Sequence, residues 1–341
     1  MINKISLQNF RNFNKKSIEF DDGITIIVAP NAAGKTNILE SIFMLSGGKS
    51  FKAKVEIDVI KYKESITRIS CLTDKDKLEI ILTTGDNGWP RKKFMVNGVA
   101  RRLLDFSGNF KAVLFGPWDL DLVTESPSIR RKFLDSVLSL VDREYRRSIS
   151  SYEKGLRQRN KLLLRIREEG VSRSHLLFWN QLLIKNGNYI SSKREEFIDY
   201  INSLPRKLIA ADYSLNYDSS AISEGRLEQY KNEEVSSATT LVGPHRDDFI
   251  FKLNDRELSS FGSRGEQRMG VLWIKLAELS FVESTTEVKP TLLLDDIFSE
   301  LDHAHRKLVL DTIQNHQVIM TTSDEHYVPK FKTDSIRIIN L

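Results

Sequence analysis

The sequence predicts an α/β protein in which a helical segment interrupts a domain of strands and helices. Strand-like runs fill most of residues 1–115, helical periodicity extends from 126 to about 204, and strand-like runs return near Thr240. We therefore expect residues 1–125 and 239–341 to form two parts of one domain. Residues 126–238 are expected to form an inserted helical lobe.

The N-terminal strands show two hydrophobic patterns. Ile5 and Leu7 alternate with polar neighbours, as in a strand with one solvent-facing side. Residues 24–28, ITIIV, are almost all apolar and β-branched, which predicts a buried central strand. Later runs are separated by turns such as Asn97-Gly98, so we expect an antiparallel meander beside that strand.

The helical segment begins at Ser126-Pro127, because serine is a good N-cap and proline fits the first helical position. Apolar residues then recur every seven positions and form one seam. This seam consists of Leu176, Leu183, Ile190, Phe197 and Leu204. The second seam is polar, with Asn180, Gly187 and Arg194, so a compact hairpin or bundle is expected rather than a long rod.

The remainder of the chain alternates between polar and strand-like segments. Residues 214–238 are rich in Ser, Glu and Asn and predict a loop or linker. A helix is expected at about 264–284. The segments PTLLLDD, HQVIMTT and SIRIINL predict three C-terminal strands.

Composition excludes several classes of protein. The net charge of +5 permits a nucleic-acid partner without requiring one. Cys71 is the only cysteine, which excludes an intrachain disulfide and favours a reducing cytoplasm. No run of about 18 apolar residues occurs, so no membrane partner is expected.

The segment APNAAGKTN, which begins at Ala29, is the first candidate site. It follows a predicted buried strand and precedes a predicted helix, the context of a phosphate-binding loop. Lys35 would reach the β- and γ-phosphates, and Thr36 would bind Mg²⁺. The alternative is a plain strand-turn-helix with an exposed lysine. The candidate nucleotide-binding residues are Ala29, Pro30, Asn31, Ala32, Ala33, Gly34, Lys35 and Thr36.

The segment TLLLDD at 291–296 has the Walker B pattern, a short apolar strand that ends in two carboxylates. Asp295 would complete the Mg²⁺ shell, directly or through water. Asp296 would polarise the attacking water as a general base, so the candidate catalytic residues are Asp296 and Lys35. The alternative is a core strand capped by two solvated aspartates.

The segment FGSRGEQR at 261–268 opens the helix that precedes Walker B. Its residues Ser263 and Glu266 also fit a capping box, which is the simpler interpretation. The segment is similar to the signature motif of ABC-type ATPases, and SELD at 299–302 resembles their D-loop. This resemblance implies an ABC-type P-loop ATPase head: a mixed sheet with an antiparallel β subdomain, carrying the α-helical lobe. The signature candidates for ATP binding are Ser263, Arg264, Gly265 and Glu266.

Five segments, in order along most of the chain, resemble the RecF family, and the first of them also resembles SMC-type heads. They are KISLQNFRNF, SPSIRRKFLD, LVGPHRDDF, SRGEQR and LLLDDIFSELD. The resemblance implies an ATP-dependent homodimer with each ATP between the Walker A loop of one copy and the signature of the other. It also implies slow hydrolysis, binding to gapped or junction DNA, and action with RecR and RecO to promote RecA loading and SOS induction in the bacterial cytoplasm, at the nucleoid.

The chain departs from the family pattern at several positions. Ala32 replaces a glycine, Glu266 replaces a more usual glutamine, and Trp118 in GPWDL replaces a usual glutamate. A left-handed backbone at Ala32 would cost about 1 kcal/mol, and a carboxylate at 266 could slow hydrolysis or tune dimerisation. Thr321 and Thr322 stand where transporter-type ABC proteins have a switch histidine.

The window 143–167 is the candidate DNA contact. Its nine basic and two acidic side chains make its net charge larger than that of the whole chain. A solvated helix face is the alternative. The basic residues are Arg143, Arg146, Arg147, Lys154, Arg157, Arg159, Lys161, Arg165 and Arg167.

Two other functions fit parts of the sequence. A transporter ATP-binding subunit would share the motif order, but the helical insertion and the missing histidine argue against it. A structural DNA-binding protein with an inactive nucleotide site would explain Ala32, but the intact Lys35, Thr36, Asp295 and Asp296 argue against that alternative.

Overall fold

The structure is a computed structural model that describes residues 1–85, 90–205, 212–299, 303–313, 315–323 and 336–341. The chain forms two compact units. The first unit comprises Met1–Asp119 and Val282–Leu341, and the second comprises Leu120–Phe281. Within the described ranges, no helix combines the length and the apolar character needed to cross a bilayer.

The first unit contains an antiparallel sheet with the strand order β2-β1-β4-β5-β6-β7. Strands β1 and β4 mostly alternate buried and exposed side chains, and the antiparallel pairing of β4, β5, β6 and β7 confirms the predicted meander. The strands are β1 (Ile2–Phe10), β2 (Phe13–Glu19), β4 (Ile66–Thr73), β5 (Lys77–Thr83), β6 (Arg91–Val96) and β7 (Val99–Arg101).

A second sheet in the same unit is parallel, with the order β14-β3-β13-β12-β8. Its three central strands are buried along their whole length, as expected when both faces of a parallel sheet are covered. Strand β13 lies between the two strands that carry the candidate motifs, β3 and β12. The strands are β3 (Ile24–Val28), β8 (Ala112–Phe115), β12 (Thr291–Asp295), β13 (Val318–Thr322) and β14 (Ile336–Asn340).

Helix α1 (Lys35–Gly47) packs in the main core of this unit together with side chains of both sheets. Ile38, Ile42 and Leu45 are completely buried there, and this confirms the predicted apolar face. Shorter helices complete the unit: α2 (Leu103–Phe106) and α11 (His303–Ile313).

The second unit is built on a helical hairpin. Helices α5 (Arg143–Glu169) and α6 (Leu177–Ser203) run along each other, preceded by α3 (Asp121–Thr124) and α4 (Pro127–Val141). Asp142 caps α5 by accepting bonds from the Glu144 and Tyr145 N–H groups. The expected compact hairpin is confirmed.

The polar second seam of α6 is buried at Gly187 and Arg194, and Asn180 is partly exposed. Gly187 lets neighbouring side chains approach, since a Cβ there would lie 2.8 Å from Ile222 and 3.2 Å from Tyr152. Arg194, 1% exposed, donates to Asp135 at 2.8 Å and to Asp247 at 3.0 Å. Carboxylates supplied by other elements therefore allow this seam to be polar and buried.

The prediction of a loop over 214–238 is wrong for most of that range. Strand β9 (Tyr213–Asp218) pairs antiparallel with β10 (Asp248–Leu253), and Tyr217 lies opposite Phe249. The strand partner is distant in sequence, so local composition contains no sign of it. The other elements here are helices α7 (Glu224–Gln229) and α8 (Lys231–Ser237), strand β11 (Arg256–Glu257), and helices α9 (Leu258–Phe261) and α10 (Arg264–Thr286).

The observed units differ from the expected domain limits. The division after Asp119 lies close to the expected one after 125. The other falls after Phe281 instead of 238, because β9 and β10 pair with each other and β9 packs against α6. Residues 263–266 therefore belong to the second unit, whereas the sequence predicts them in one domain with the Walker motifs.

Candidate functional site

The 29–34 loop connects β3 to α1 with a conformation that requires glycine at its end. Gly34 has φ +107°, and a Cβ there would lie 2.6 Å from Asn12 Nδ2 and 2.8 Å from Phe13. The Ile38 N–H donates to the Gly34 carbonyl at 3.2 Å, so the helix starts directly behind this glycine. The loop is consequently held against the turn between β1 and β2.

Ala32 has φ +67°, in the left-handed region. Side chains disfavour this conformation because Cβ approaches the following carbonyl oxygen, at a cost of roughly 1–2 kcal/mol. The loop therefore keeps the backbone geometry of a glycine without having the glycine. Neighbouring Ala33 is not among the residues with positive φ.

Lys35 points into the loop. It is 8% exposed, and its ammonium donates to the carbonyl oxygens of Ala29 at 2.5 Å and Pro30 at 3.1 Å. The alternative of an exposed lysine is wrong. The Lys35 ammonium is buried beside the N-terminus of α1 and is bound only by neutral carbonyl groups. This arrangement favours an anionic ligand.

Thr36 and Asp295 are 259 residues apart in sequence but adjacent in space. The Thr36 hydroxyl donates to Asp295 Oδ2 at 2.7 Å, and Thr321 donates to Asp295 Oδ1 at 2.5 Å. Asp295 is 5% exposed, so the alternative of a solvated cap is wrong for this residue. The parallel register places Asp295 opposite Thr321 and thereby aligns the donor with the carboxylate.

Asp296 follows the strand with φ +51°. Its N–H donates to the carbonyl oxygen of Thr321 at 3.2 Å. Aspartate tolerates the left-handed conformation better than most residues do. The turn places Asp296 directly after the buried end of β12. Of the predicted D-loop at 299–302, residues 300–302 lie outside the described residues.

An open surface cavity of about 580 Å³ lies in the first unit, and the sequence does not predict it. It adjoins the loop, because its lining residue Asn12 donates to the Ala33 carbonyl at 3.0 Å and accepts from Asn37 at 2.9 Å. Arg11 is held by a bidentate ion pair with Glu40, which is buried. The lining residues are Arg11, Asn12, Asn37, Lys52, Ile57, Asp58, Ile60 and Tyr62.

The sequence signal for this cavity is the FRNF turn at 10–13, which the sequence presents only as part of a family resemblance. Asn9 and Arg11 in and beside this turn have positive φ and bond to Glu64 and Glu40, whereas the Asn12 side chain between them and the 29–34 loop bonds to the Ala33 carbonyl oxygen. Trp118, at the position of the family's glutamate, stacks on Phe51 with ring centroids 4.6 Å apart. It has a packing role.

The signature segment forms a local structure at the start of α10. Glu266 accepts from the Ser263 N–H and hydroxyl, each at 2.7 Å, and the Glu266 N–H donates to the Ser263 hydroxyl at 3.3 Å. These bonds form a capping box and lower the pKa of Glu266, with the Ser263 hydroxyl as the main cause. All four residues from Ser263 to Glu266 are exposed.

His245 in GPHRDDF has a structural role. Its Nδ1 is 2.8 Å from the Tyr152 hydroxyl and its Nε2 is 2.9 Å from the Thr240 carbonyl oxygen. Burial lowers its pKa to about 4, so the ring is neutral at physiological pH. The following residues are also engaged within the fold, since Asp247 is fully buried and Asp248 pairs with Arg130 at 2.6 Å.

The basic window lies on α5, and the structure separates its members. Arg159 is 2% exposed and pairs with Glu234 at 2.6 Å, so it is removed from the candidate DNA contacts. Arg165 and Arg167 pair with Glu169 and Glu168. Five others, of which Arg147 also pairs with Glu144 at 3.2 Å, are exposed at helical spacing on one face, which we call the basic stripe. It consists of Arg143, Arg147, Lys154, Arg157 and Lys161.

The parallel sheet, the glycine-dependent loop and the bonded Thr36–Asp295 pair define a P-loop protein of the class to which RecF, RecN and SMC heads belong. The chain matches the RecF/RecN/SMC N terminal domain family over residues 1–339. Curated relatives named DNA replication and repair protein RecF are similar over nearly the whole chain. That of Herpetosiphon aurantiacus is 34% identical, covering 99% of this chain and 97% of its own. That of Clostridium tetani is 31% identical, covering 99% and 96%. The chain belongs to the RecF family.

Solved structures agree with this assignment. The recombination mediator protein RecF of the RecFOR pathway, solved as RecF-ATPrS and as RecF-ATP, matches with a TM-score of 0.87 and 30% identity. These alignments cover 99% of this chain and 96% or 95% of the matched chain. An SMC head from Pyrococcus furiosus matches with a TM-score of 0.50 and 19% identity over 96% of this chain and 90% of its own, and it supports the fold alone.

Proposed function

We propose that this chain is an ATP-binding recombination mediator of DNA repair and replication, in which ATP-dependent dimerisation acts as a switch. The observation that carries the proposal is the 2.7 Å bond between Thr36 and Asp295, which joins the predicted metal ligands in a member of the RecF family. The similarity to RecF-ATP supports ATP as the nucleotide. Family membership argues against the transporter alternative.

The donor set fits Mg²⁺. A hydroxyl and a carboxylate oxygen 2.7 Å apart approach the spacing of adjacent ligands in an octahedron with metal–oxygen distances of about 2.0–2.1 Å. Mg²⁺, when bound, would neutralise charge on the phosphate oxygens. The remaining ligands would be phosphate and water, since Mg²⁺ usually keeps several waters and binds one or two carboxylates together with substrate phosphates.

The residues around this pair would bind the rest of the nucleotide. Lys35, freed from the carbonyls of Ala29 and Pro30, would donate to phosphate oxygens, and the N–H groups from Asn31 to Thr36 would do the same. The cavity lined by Arg11, Asn37 and Tyr62 would accept the nucleoside, since it offers polar groups and an exposed ring. Asp296 would take a proton from the attacking water.

The signature segment would complete the site from a second copy of the chain. Ser263, Arg264, Gly265 and Glu266 are exposed at the start of a long helix, where N–H groups favour an anion. Adding a Cβ to Gly265 would meet no atom within 4 Å, so its own unit leaves that side open. The phosphates of a nucleotide bound to a second protomer could therefore approach Gly265 closely.

Measurement of molecular mass by light scattering with and without ATP and Mg²⁺ tests the switch. We expect a dimer for the wild type in ATP, and monomers for Lys35→Arg and Ser263→Arg. Ser263→Arg should still bind ATP as a monomer, because its change lies outside the first unit. Dimerisation that is indifferent to both ATP and Ser263 would contradict the shared site, and absence of ATP binding would support the inactive-site alternative.

The basic stripe would contact the phosphate backbone of DNA. Its outward-facing cations follow one line along α5, which suits shape recognition of gapped or junction DNA rather than base readout. The RecFOR assignment of the similar structures supports RecR and RecO as further partners in promoting RecA loading and SOS induction. A bacterial cytoplasmic and nucleoid location follows from this proposal.

Salt-dependent DNA binding tests the stripe. The triple variant Lys154→Gln, Arg157→Gln, Lys161→Gln should weaken binding to a duplex. The slope of log K against log salt should become shallower by roughly 0.9 for each phosphate that the variant no longer neutralises. The matched control replaces Lys185, Arg226 and Lys231, which are also exposed in the second unit. Equal weakening by the two triple variants would contradict a specific role for the stripe.

A further inference from the structure

Thr321 holds the Walker B carboxylate by side chain and backbone. Its hydroxyl donates to Asp295 Oδ1 at 2.5 Å, and its carbonyl oxygen accepts from the Asp296 N–H at 3.2 Å. Thr321 is 3% exposed, so neither bond competes strongly with water. One residue of β13 thus contacts both carboxylate-bearing residues at the end of β12.

The register of the parallel sheet explains this placement. Thr321 lies opposite Asp295 on β12 and opposite Ile27 on β3. The central strand therefore ends between the strand that precedes the 29–34 loop and the strand that ends at Asp295. A hydroxyl at this position can reach the carboxylate without any change in backbone conformation.

The two oxygens of Asp295 have different partners. Oδ2 accepts from Thr36, a predicted metal ligand, whereas Oδ1 accepts from Thr321. Thr36 must turn its hydroxyl hydrogen away from Oδ2 when its oxygen faces a cation, but Thr321 can keep its bond. Without the Thr321 hydroxyl, a buried carboxylate would lose the donor that fixes its rotation.

We propose that Thr321 is a positioning residue for Mg²⁺, which orients Asp295 so that Oδ2 and the Thr36 hydroxyl oxygen face the same ligand. This inference rests on the proposed function, because it requires ATP and Mg²⁺ at this site. Thr321 acts through Asp295 and does not itself bind phosphate. Thr321 is one of the two residues, with Thr322, that stand where transporter-type ABC proteins have a switch histidine.

The experiment compares Thr321→Val with the wild type in a titration of Mg²⁺ at fixed ATP, with dimer formation as the readout. We expect the half-saturating Mg²⁺ concentration to rise roughly tenfold or more, as for removal of other groups that orient metal ligands. ATP affinity in EDTA should be unchanged. Thr321→Ser should restore the wild-type Mg²⁺ dependence, since it keeps the hydroxyl.

Thr25→Val is the matched control. Thr25 lies on the neighbouring strand β3, is completely buried, and its hydroxyl has no hydrogen-bond partner among the described residues. The same isosteric change there should leave the Mg²⁺ dependence unaltered. If Thr321→Val and Thr25→Val had the same half-saturating Mg²⁺ concentration, the inference would be overturned. Dimer formation by the wild type in ATP and Mg²⁺ would still support the proposed function in that case.

Two further results would distinguish the positioning role of Thr321 from the proposed function itself. A loss of ATP affinity in EDTA that equals the loss in Mg²⁺ would assign the hydroxyl to phosphate and overturn the positioning role. A wild type that forms no dimer in any mixture of ATP and Mg²⁺ would instead refute the proposed function. If Thr321→Val fails to fold, Thr321→Ala replaces it in the titration. A higher Mg²⁺ requirement in Thr321→Ala than in Thr321→Ser would then support the inference, and equal requirements would overturn it.

Discussion

The loop and strand ends of the first unit and the signature segment of the second are organised in opposite ways. Thr36 and Asp295 meet across 259 residues of sequence, and Thr321 joins them from a third element. Ser263 and Glu266 are three residues apart and bond only within one helix turn. The first arrangement depends on a completed sheet, whereas the second requires only the start of a helix.

From this difference we expect the two regions to have distinct tasks. Long-range bonds preorganise the buried Asp295, and bonds to the loop carbonyls preorganise the buried Lys35; such groups suit nucleotide binding and chemistry. The exposed, local capping box leaves its hydroxyl and N–H groups near solvent, which suits a contact made only when a partner arrives. We therefore expect substitutions in the first region to affect binding and hydrolysis, and those in the second to affect assembly.

Asp296→Asn should give the largest effect and test whether the chemistry resides in the first region. Asparagine tolerates the left-handed conformation of this residue but is not a general base. ATP hydrolysis should fall by roughly 10²- to 10⁴-fold, while ATP-dependent dimerisation persists. Phosphate release and molecular mass, measured on the same sample, check both parts. Unchanged hydrolysis would remove Asp296 from the mechanism.

Gly34→Ala should weaken ATP binding by about 100-fold or more, the loss expected when a loop must abandon its conformation. The added Cβ would lie within 2.8 Å of Asn12 and Phe13, at a φ of +107°. Titration with a fluorescent ATP analogue measures the loss. An ATP affinity close to that of the wild type would contradict the expectation that the loop conformation depends on Gly34.

Gly265→Ala is the counterpart in the second region. Nothing lies within 4 Å of the added Cβ, so the monomer should keep its ATP affinity and its unfolding temperature. Dimerisation should weaken by about tenfold, if the partner's phosphates approach the backbone as closely as helix N-termini allow. Light scattering over a range of protein concentrations gives the dissociation constant. A lower ATP affinity of the monomer would contradict the expectation that this region acts only in dimer assembly.

Ala32→Gly should stabilise the protein slightly. Removing Cβ at φ +67° relieves roughly 1–2 kcal/mol, and the more flexible unfolded chain offsets about 0.4–1 kcal/mol of this. The unfolding temperature should rise by about 1–3 °C. Ala33→Gly, whose site lacks a positive φ, should lower it instead. The opposite order of the two variants would refute strain at Ala32.

Glu266→Gln should have the smallest effect, a pH-dependent change in the unfolding temperature. The folded-state pKa of Glu266 is lowered from its ordinary value of 4.5 by the Ser263 bonds. The carboxylate therefore stabilises the folded state above that value, and the contribution is lost as pH falls through the lowered pKa. Wild type should unfold at a slightly higher temperature than Glu266→Gln at neutral pH, and the difference should shrink as the pH is lowered below 4.5. A difference independent of pH would exclude the carboxylate as its cause.

Much of the site could be predicted from the sequence because its residues occur in short, ordered motifs. The loop at 29–36, the strand at 291–295 and the capping box at 263–266 each combine local pattern with residue chemistry. The family resemblance is confirmed. The individual roles assigned to the site residues stay predictions that the experiments above address.

Other features could not be predicted, since they depend on partners distant in sequence. The polar composition of strand β9 predicts a linker because it contains no sign of β10. The basic window predicts a solvent-facing Arg159, although Glu234 pairs with this residue inside the second unit. The cavity beside Asn12 requires a turn, a helix and a later loop to meet.

The sequence by itself determined the α/β class with its helical insertion, the strand-loop-helix that contains the predicted phosphate-binding loop, the predicted Walker B strand and the helical hairpin. Each follows from periodicity or from a motif within a few residues. Tertiary structure alone decided that Ala32 adopts a glycine conformation and that Lys35 is buried. It also decided that Asp295 is held by Thr36 and Thr321, because the parallel register aligns strand ends that the sequence keeps far apart.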